Sequence, residues 1–204
     1  LMFNGPAGVS DAMDLAKMLA ILELIRPLES PQFRIWRQTR TGLLSYPLDP
    51  DAARAHLAAS IYLQMALKPH IVHIVGHTEA DHAATAEDVI EASRMARRAI
   101  ENALGGQPDM AADPRVQARV TELVVEAQVT LQAIRGLADP GVMDPLIDPT
   151  TLVKAVTRGI LDAPQLKNNR YGKGAICTRI VKGACVAVNT NGQPIPEQQR
   201  IRGE

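Results

Sequence analysis

Hydrophobic residues recur at helical spacing near the beginning of the chain. A glycine-rich loop at residues 4–10 is followed by Ser10 or Asp11 as a helix N-cap, and Pro27 ends the pattern. The apolar positions between them fall three or four residues apart, on one face of a helix: Leu15, Met18, Leu19, Leu22 and Ile25. The pattern predicts a helix over residues 12–26 with one buried face.

Short strand-like stretches alternate with such helical patterns. Residues 1–3 and 33–38 have apolar or alternating composition, and 71–75 is a β-branched run typical of a strand buried on both faces. Helices are predicted at 51–67 and at 85–104. Repetition of strand, loop and helix predicts an α/β fold with parallel strands.

The loops that follow the predicted strands are where such folds place their chemistry. They lie at residues 4–10, 39–50 and 76–84. Thr85 then begins a helix as a capping box, with Asp88 at the position where Glu or Gln is usual.

The strand–loop–helix repetition does not continue to the end of the chain. One more helix is predicted from Pro114 to about residue 137, and a β-hairpin is predicted from Ile176 to Val188. We therefore expect one region at 1–138 and a small α+β appendage at 139–204.

Charge and composition narrow the classes of function. The 204 residues include 22 Lys and Arg against 22 Asp and Glu, so no net field favours nucleic acid or an anionic membrane surface. The longest apolar runs are shorter than the roughly 20 residues that span a bilayer. Two cysteines without a CxxC spacing fit a reducing cytoplasm, where we expect this protein. The opening strand stub at Leu1 leads us to expect further strand–helix units upstream.

Four of the five histidines lie within thirteen residues, beside Glu79 and Asp81. They are His70, His73, His77 and His82. Their spacing differs from the HExxH pattern of helical zinc sites, so we expect no metal centre. We favour a loop that binds a polar ligand; the alternative is a solvated turn before a capped helix.

Two loop residues are candidates for ligand contacts. The carboxylate of Glu79 can accept hydrogen bonds from a vicinal diol, as acidic residues do with ribose. Tyr46 offers a flat ring to a planar ligand. An aromatic and basic cluster on the preceding stretch indicates either an anion contact or simple surface charge: Arg34, Trp36, Arg37 and Arg40.

Several local strings, in this order, resemble the C-terminal portion of the large, epsilon subunit of glutamate mutase, also called methylaspartate mutase. They are the glycine turn and helix at 4–26, Tyr46-Pro47 with Asp49, Thr78-Glu79-Ala80, and Gly141 to Asp144. The resemblance implies the last strands of a (β/α)8 TIM-type barrel. It also implies an isomerase that interconverts L-glutamate and 3-methylaspartate with adenosylcobalamin, by an adenosyl radical that abstracts substrate hydrogen.

The same resemblance implies which residues hold the adenosyl group. Tyr46, Glu79 and Ala83 match the family's contacts, whereas Val75 stands where the family has a lysine. The substrate-binding arginines of the family match no residue here, so the catalytic residues are unknown. The chain lacks the family's cobalt-ligating Asp-x-His string, which implies a separate small cobalamin-binding subunit. The resemblance also implies an amino-acid substrate, a homodimer of the full-length subunit, and an inactive isolated chain.

Two other functions remain open from the sequence. One is a non-catalytic regulatory or assembly domain that binds a B12 protein. The other is an unrelated barrel enzyme such as an aldolase, which needs a lysine at a strand end, whereas Lys68 precedes its strand.

Overall fold

The computed structural model describes residues 1–203, which form two compact units. The first spans Leu1–Thr121 and the second begins at Glu122. This division falls inside a helix, whereas the sequence pattern placed a boundary at 138/139. None of the described helices is long and apolar enough to cross a membrane.

The first unit is an α/β structure, as predicted. Its elements are β1 (Met2–Phe3), α1 (Asp11–Ile25), β2 (Gln38–Thr41), α2 (Pro50–Gln64), β3 (Ile71–His73), α3 (Ala86–Leu104) and α4 (Pro114–Arg135), the last of which continues into the second unit. The strands form a parallel sheet in the order β1-β2-β3. Chain order and sheet order therefore agree, and the three strands form an open sheet.

Side chains on the two faces of this sheet differ in burial. Phe3, Thr39 and Thr41 are almost fully buried. The alternate positions are exposed or half-buried: Met2, Gln38, Arg40, Ile71 and His73. The register aligns Met2 with Arg40 and Arg40 with His73, so these side chains share one face. The sheet is thus covered on one face and open on the other.

A buried polar network links the covered face to the helices. Ser60 Oγ on α2 lies 2.8 Å from Thr41 Oγ1 and donates to Asn4 Oδ1 at 2.5 Å. Gln64 Nε2 donates to Thr41 Oγ1 and to Ser60 Oγ at 3.1 and 2.9 Å. The backbone amide of Asn4 donates in turn to Asp14 Oδ2 on α1. These bonds connect β2 and the loop after β1 to both helices.

Helix α2 packs against α3 through small and aliphatic side chains. The buried cluster consists of Tyr46, Ala53, Leu57, Ile61, Val75, Ala92, Ala96 and Ala99. The alanines on α3 recur at helical spacing, which lets its backbone approach α2 closely. Both helices begin with side-chain caps: Asp49 accepts from the Ala52 amide, and the predicted capping box of Thr85 and Asp88 is confirmed.

The second unit contains the predicted hairpin. It consists of the end of α4, α5 (Pro149–Arg158), β4 (Cys177–Val181), β5 (Ala184–Val188) and α6 (Glu197–Arg202). Strands β4 and β5 are antiparallel. Lys182 and Gly183 between them both have positive φ, 51° and 78°, the signature of a type I′ turn.

A single arginine connects two elements of this second unit. Arg200 on α6 donates to the carbonyl oxygens of Gly159 and Ile160, just after α5, at 3.0 and 2.8 Å. Its pKa is raised by the hydrogen-bonded carboxylate of Glu197. Glu197 also accepts from Thr130 on α4. The C-terminal helix is therefore held by charge-assisted bonds.

Two strand predictions were wrong in their bounds. The strand expected at 33–38 lies at Gln38–Thr41, and the strand expected at 71–75 ends at His73. The backbone before β2 bonds elsewhere: the Arg37 amide donates to His70 Nδ1 and the Ile35 amide donates to Glu29 Oε1. Pairing with neighbouring strands, rather than local composition, sets these limits.

Removal of the central hydroxyl of the network should destabilise the first unit. Ser60→Ala leaves Oδ1 of the half-buried Asn4 without its donor and deprives the buried Gln64 and Thr41 of a partner. We expect the free energy of unfolding to fall by about 1–3 kcal/mol. The single tryptophan, Trp36, lies in the first unit. Urea unfolding followed by its fluorescence therefore measures the free energy of unfolding of this unit.

Ser93→Ala is the matched control. Ser93 is an exposed serine on α3 whose Oγ donates to the Val89 carbonyl oxygen at 2.7 Å. Its removal should change the urea midpoint little, because no buried group loses a partner. Equal midpoints for the two variants would show that the network contributes no stability.

Candidate functional site

The loops after β2 and β3 meet at the carboxyl ends of the strands. Tyr46 in the first loop donates its hydroxyl to the Val75 carbonyl oxygen, just after β3, at 2.7 Å. Because the two residues are far apart in sequence, this buried bond fixes the position of one loop against the other.

Tyr46 lies mainly inside the core, with 8% of its surface exposed. Its ring packs edge-on against His56, with 5.1 Å between centroids. Burial raises the pKa of the Tyr46 phenol to about 12 and lowers the pKa of His56 from its ordinary value. Tyr46 is thus a neutral donor at physiological pH and presents only part of its ring to a ligand.

Glu79 holds the turn that follows β3. Its Oε1 accepts from the Gly76 amide at 2.5 Å, and the Glu79 amide donates to the Gly76 carbonyl oxygen at 3.1 Å. A Cβ at Gly76 would lie 3.0 Å from Glu79 Oε1, so glycine suits this close approach. The second carboxylate oxygen of Glu79 makes no hydrogen bond within residues 1–203 and is available to a ligand. Ala83 is exposed in the same loop.

A cavity of about 230 Å³ opens between these loops and the start of α2. Tyr46, Arg54, His77, Thr78 and His82 contribute to its wall. It is smaller than the roughly 300–1,000 Å³ typical of ligand pockets, so it suits a small group or one end of a larger ligand. Of the three predicted cofactor contacts, Tyr46 lines this cavity, whereas Glu79 and Ala83 lie outside its wall.

The four clustered histidines have different environments. His70 accepts from the Arg37 amide and packs its ring against Trp36, while His73 is exposed on the open sheet face. His77 is buried and His82 is exposed. The sequence cluster is therefore not a cluster of all four rings in space.

The predicted basic and aromatic cluster is likewise separated. The Arg37 guanidinium donates to the Lys68 carbonyl oxygen at 3.0 and 2.9 Å, while Arg34 is exposed. Arg40 lies on the open sheet face, where its Nε is buried without a hydrogen-bond partner among the described residues. Of this cluster, Arg40 has an unused donor for an anion.

His77 lies beside carboxylates from α3. Its Nε2 is 3.5 Å from Glu91 Oε2, outside hydrogen-bond geometry. Arg54 on α2 donates its Nε to Glu91 Oε1 at 2.7 Å, and this bond lowers the pKa of Glu91. The amide and hydroxyl of Thr85 donate to Asp88 Oδ2 and lower the pKa of Asp88. Both carboxylates are therefore ionised at neutral pH.

His82 adds a second imidazole at the edge of this group. Its Nδ1 lies 3.0 Å from Asp81 Oδ2 and its Nε2 lies 3.7 Å from Asp88 Oδ2. The hydrogen bond with Asp81 raises the pKa of His82.

Sequence reasoning missed Arg54, Asp88 and Glu91 as part of this region. A signal was present for two of them: Asp88 and Glu91 are three residues apart, on one face of a helix that follows a histidine-rich loop. No sequence signal connected Arg54 to that helix, because Arg54 and Glu91 are 37 residues apart and meet only through the packing of α2 against α3.

Comparisons with known proteins identified no relative of this chain. A scan against models of protein families, a search of curated proteins and a search of solved structures each found no match to this chain.

The raised pKa of Tyr46 predicts a specific loss of stability in alkali. Because the folded state favours the neutral phenol, its contribution is present below pH 10.0, the ordinary pKa, and is lost as pH rises towards about 12. We expect a loss on the order of 2 kcal/mol over this range. Urea unfolding at a series of alkaline pH values gives the free energy of unfolding at each pH, and hence its slope against pH.

Tyr46→Phe should flatten this slope, since the titrating hydroxyl is gone, although the variant also loses the bond to Val75. Tyr171→Phe is the control, because Tyr171 is 63% exposed. It should retain the wild-type slope. A slope that is unchanged in Tyr46→Phe would contradict the assignment.

Proposed function

We propose that this chain is the C-terminal portion of an adenosylcobalamin-dependent carbon-skeleton mutase that interconverts L-glutamate and 3-methylaspartate. The observation that carries the proposal is the open face of the parallel sheet. It supports the barrel that the family resemblance implies.

Parallel sheets are normally covered on both faces, because the connections between strands place helices there. Here one face carries the buried side chains and the other exposes residues such as Ile71, which is 48% exposed. In a (β/α)8 barrel the helices cover the outside and the opposite face lines the interior. Three parallel strands in chain order with one open face fit a segment of such a barrel.

The open face is polar enough to bind an amino acid. Gln38, Arg40 and His73 lie on it, and Arg40 Nε is a buried donor without a partner within residues 1–203. A substrate carboxylate would satisfy that donor with a charge-assisted bond. These three residues would therefore contribute to binding and orientation of a dicarboxylic amino acid.

The loops at the strand ends would hold the adenosyl group. The second carboxylate oxygen of Glu79 is available to a ribose hydroxyl, Ala83 offers an exposed apolar surface, and Tyr46 presents part of its ring. Bound adenosylcobalamin supplies the radical chemistry; these residues would bind and orient its adenosyl end. The corrin and cobalt would come with a small cobalamin-binding subunit, and the full-length large subunit would form a homodimer.

One observation favours the alternative of a non-catalytic domain that assembles with a B12 protein. Val75, at the position of the family's lysine, is 3% exposed and belongs to the apolar cluster between α2 and α3. A ribose contact from that position is therefore absent. Binding of the adenosyl group then depends on Glu79.

A nucleoside-binding measurement tests the catalytic proposal. The chain should bind 5′-deoxyadenosine in isothermal titration calorimetry, and Glu79→Gln should weaken the affinity by about tenfold or more, because one charge-assisted bond is worth about 1.5–3 kcal/mol. Glu87→Gln is the control, since Glu87 is an exposed carboxylate on α3. It should bind like the wild type.

The outcomes separate the two functions. Equal affinities of Glu79→Gln and Glu87→Gln would remove Glu79 from the site. If the wild-type chain binds a cobalamin-carrying subunit but no 5′-deoxyadenosine, the assembly function replaces the catalytic one.

A further inference from the structure

We propose that His77, Asp88 and Glu91 form a binding site for a divalent transition-metal ion such as Zn²⁺. Each residue offers one ligand atom, and these atoms all lie within 4.8 Å of one another. The proposal is independent of the mutase function, because none of the three residues is assigned to the adenosyl group or the substrate.

The environment of His77 is the observation that points to a ligand. Its side chain is 2% exposed, and neither ring nitrogen has a hydrogen-bond partner in the described part of the chain. Buried polar atoms without partners are rare and costly, about 1–3 kcal/mol each. The Nε2 atom faces Glu91 Oε2 at 3.5 Å without forming a hydrogen bond. A cation between them would satisfy both groups.

The carboxylates of Asp88 and Glu91 are already ionised, and each accepts hydrogen bonds from neighbouring residues. Arg54 donates to Glu91 Oε1 at 2.7 Å, which leaves Oε2 directed to His77; its second contact, Nη2 to Oε2, is longer at 3.4 Å. Thr85 donates twice to Asp88 Oδ2. Hydrogen bonds of this kind orient metal-binding carboxylates in known sites. A metal would displace only the weaker Arg54 contact.

The three ligands are held on well-anchored backbone. Asp88 and Glu91 lie one helical turn apart at the start of α3, which the capping box and the alanine contacts with α2 fix in place. His77 lies in the turn closed by Glu79. Zn²⁺ with ligands at about 2.0–2.2 Å holds them roughly 3.5 Å apart, so side-chain shifts of about 1 Å would close the site.

The ligand set selects the class of metal. An imidazole with two carboxylates suits Zn²⁺ or Mn²⁺ better than Mg²⁺, which prefers oxygen ligands and retains water. His82 is the nearest candidate for a fourth ligand, because its Nε2 lies 3.7 Å from Asp88 Oδ2 and its Nδ1 pairs with Asp81. Ligating histidines commonly make such a bond with a carboxylate.

Metal titration of the full chain tests the site. After treatment with a chelator, Zn²⁺ titrated in a calorimeter should bind at one equivalent, and Mg²⁺ should bind at least about tenfold more weakly. Co²⁺ in place of Zn²⁺ should give visible absorption bands that report the coordination geometry. Glu91→Gln and His77→Asn should each reduce Zn²⁺ affinity at least tenfold, since loss of a supporting residue alone costs about 10–100-fold.

Matched controls separate the site from surface histidines. Glu87→Gln removes an exposed carboxylate from the same helix, and His73→Asn removes an exposed histidine elsewhere. Both variants should bind Zn²⁺ like the wild type. Circular dichroism verifies the fold of each variant. Because Glu91 is half-buried, Glu91→Gln carries the test if His77→Asn misfolds.

The absence of Zn²⁺ binding to the wild type would overturn the proposal, as would unchanged Zn²⁺ affinity in a folded Glu91→Gln variant. An equal loss of affinity in the control variants, or equal affinities for Mg²⁺ and Zn²⁺, would also overturn it. Binding of 5′-deoxyadenosine is measured separately, so failure of either proposal is recognised independently.

Discussion

The buried hydrogen bonds between β2 and α2 set the register of the first unit. Thr41 places a hydroxyl on the covered face of the sheet, where an unpaired polar atom costs about 1–3 kcal/mol. Ser60 and Gln64, one turn apart on α2, both bond to it, and Asn4 extends the network to the loop after β1. Apolar faces tolerate some sliding, whereas directional bonds satisfy all partners in one arrangement. The loops that leave β1 and β2 are positioned by that arrangement.

The loop after β3 is fixed at several points along its length. Tyr46 binds the Val75 carbonyl oxygen, Glu79 binds the Gly76 amide, and the capping box fixes the start of α3. Such a loop loses little conformational entropy when it binds a ligand. This explains how one short segment supports two separate proposals: Glu79 for a ribose hydroxyl, and His77 for a metal ion.

Local sequence signals were sufficient where local physics decides the structure. The capping box at Thr85 and the hairpin with its Lys182-Gly183 turn were both predicted, because capping and turn geometry depend on residues a few positions apart. The strand before Tyr46 was misplaced by several residues, since the limits of β2 depend on where β1 and β3 pair with it. The environments of the four histidines could not be predicted from the sequence for a similar reason: sequence proximity does not indicate which rings are buried.

Residue patterns along the chain predict its structural class: alternating strands and helices, a parallel sheet, loops at the strand ends that bear Tyr46 and Glu79, and a C-terminal hairpin. Which side chains meet depends instead on how whole helices and strands pack in three dimensions. Arg54 reaches Glu91 across 37 residues, and that pair lies beside His77 because α2 packs on α3. Periodicity and capping are encoded within a few residues, whereas such contacts arise from packing of whole elements, so neither residue type nor spacing reveals them.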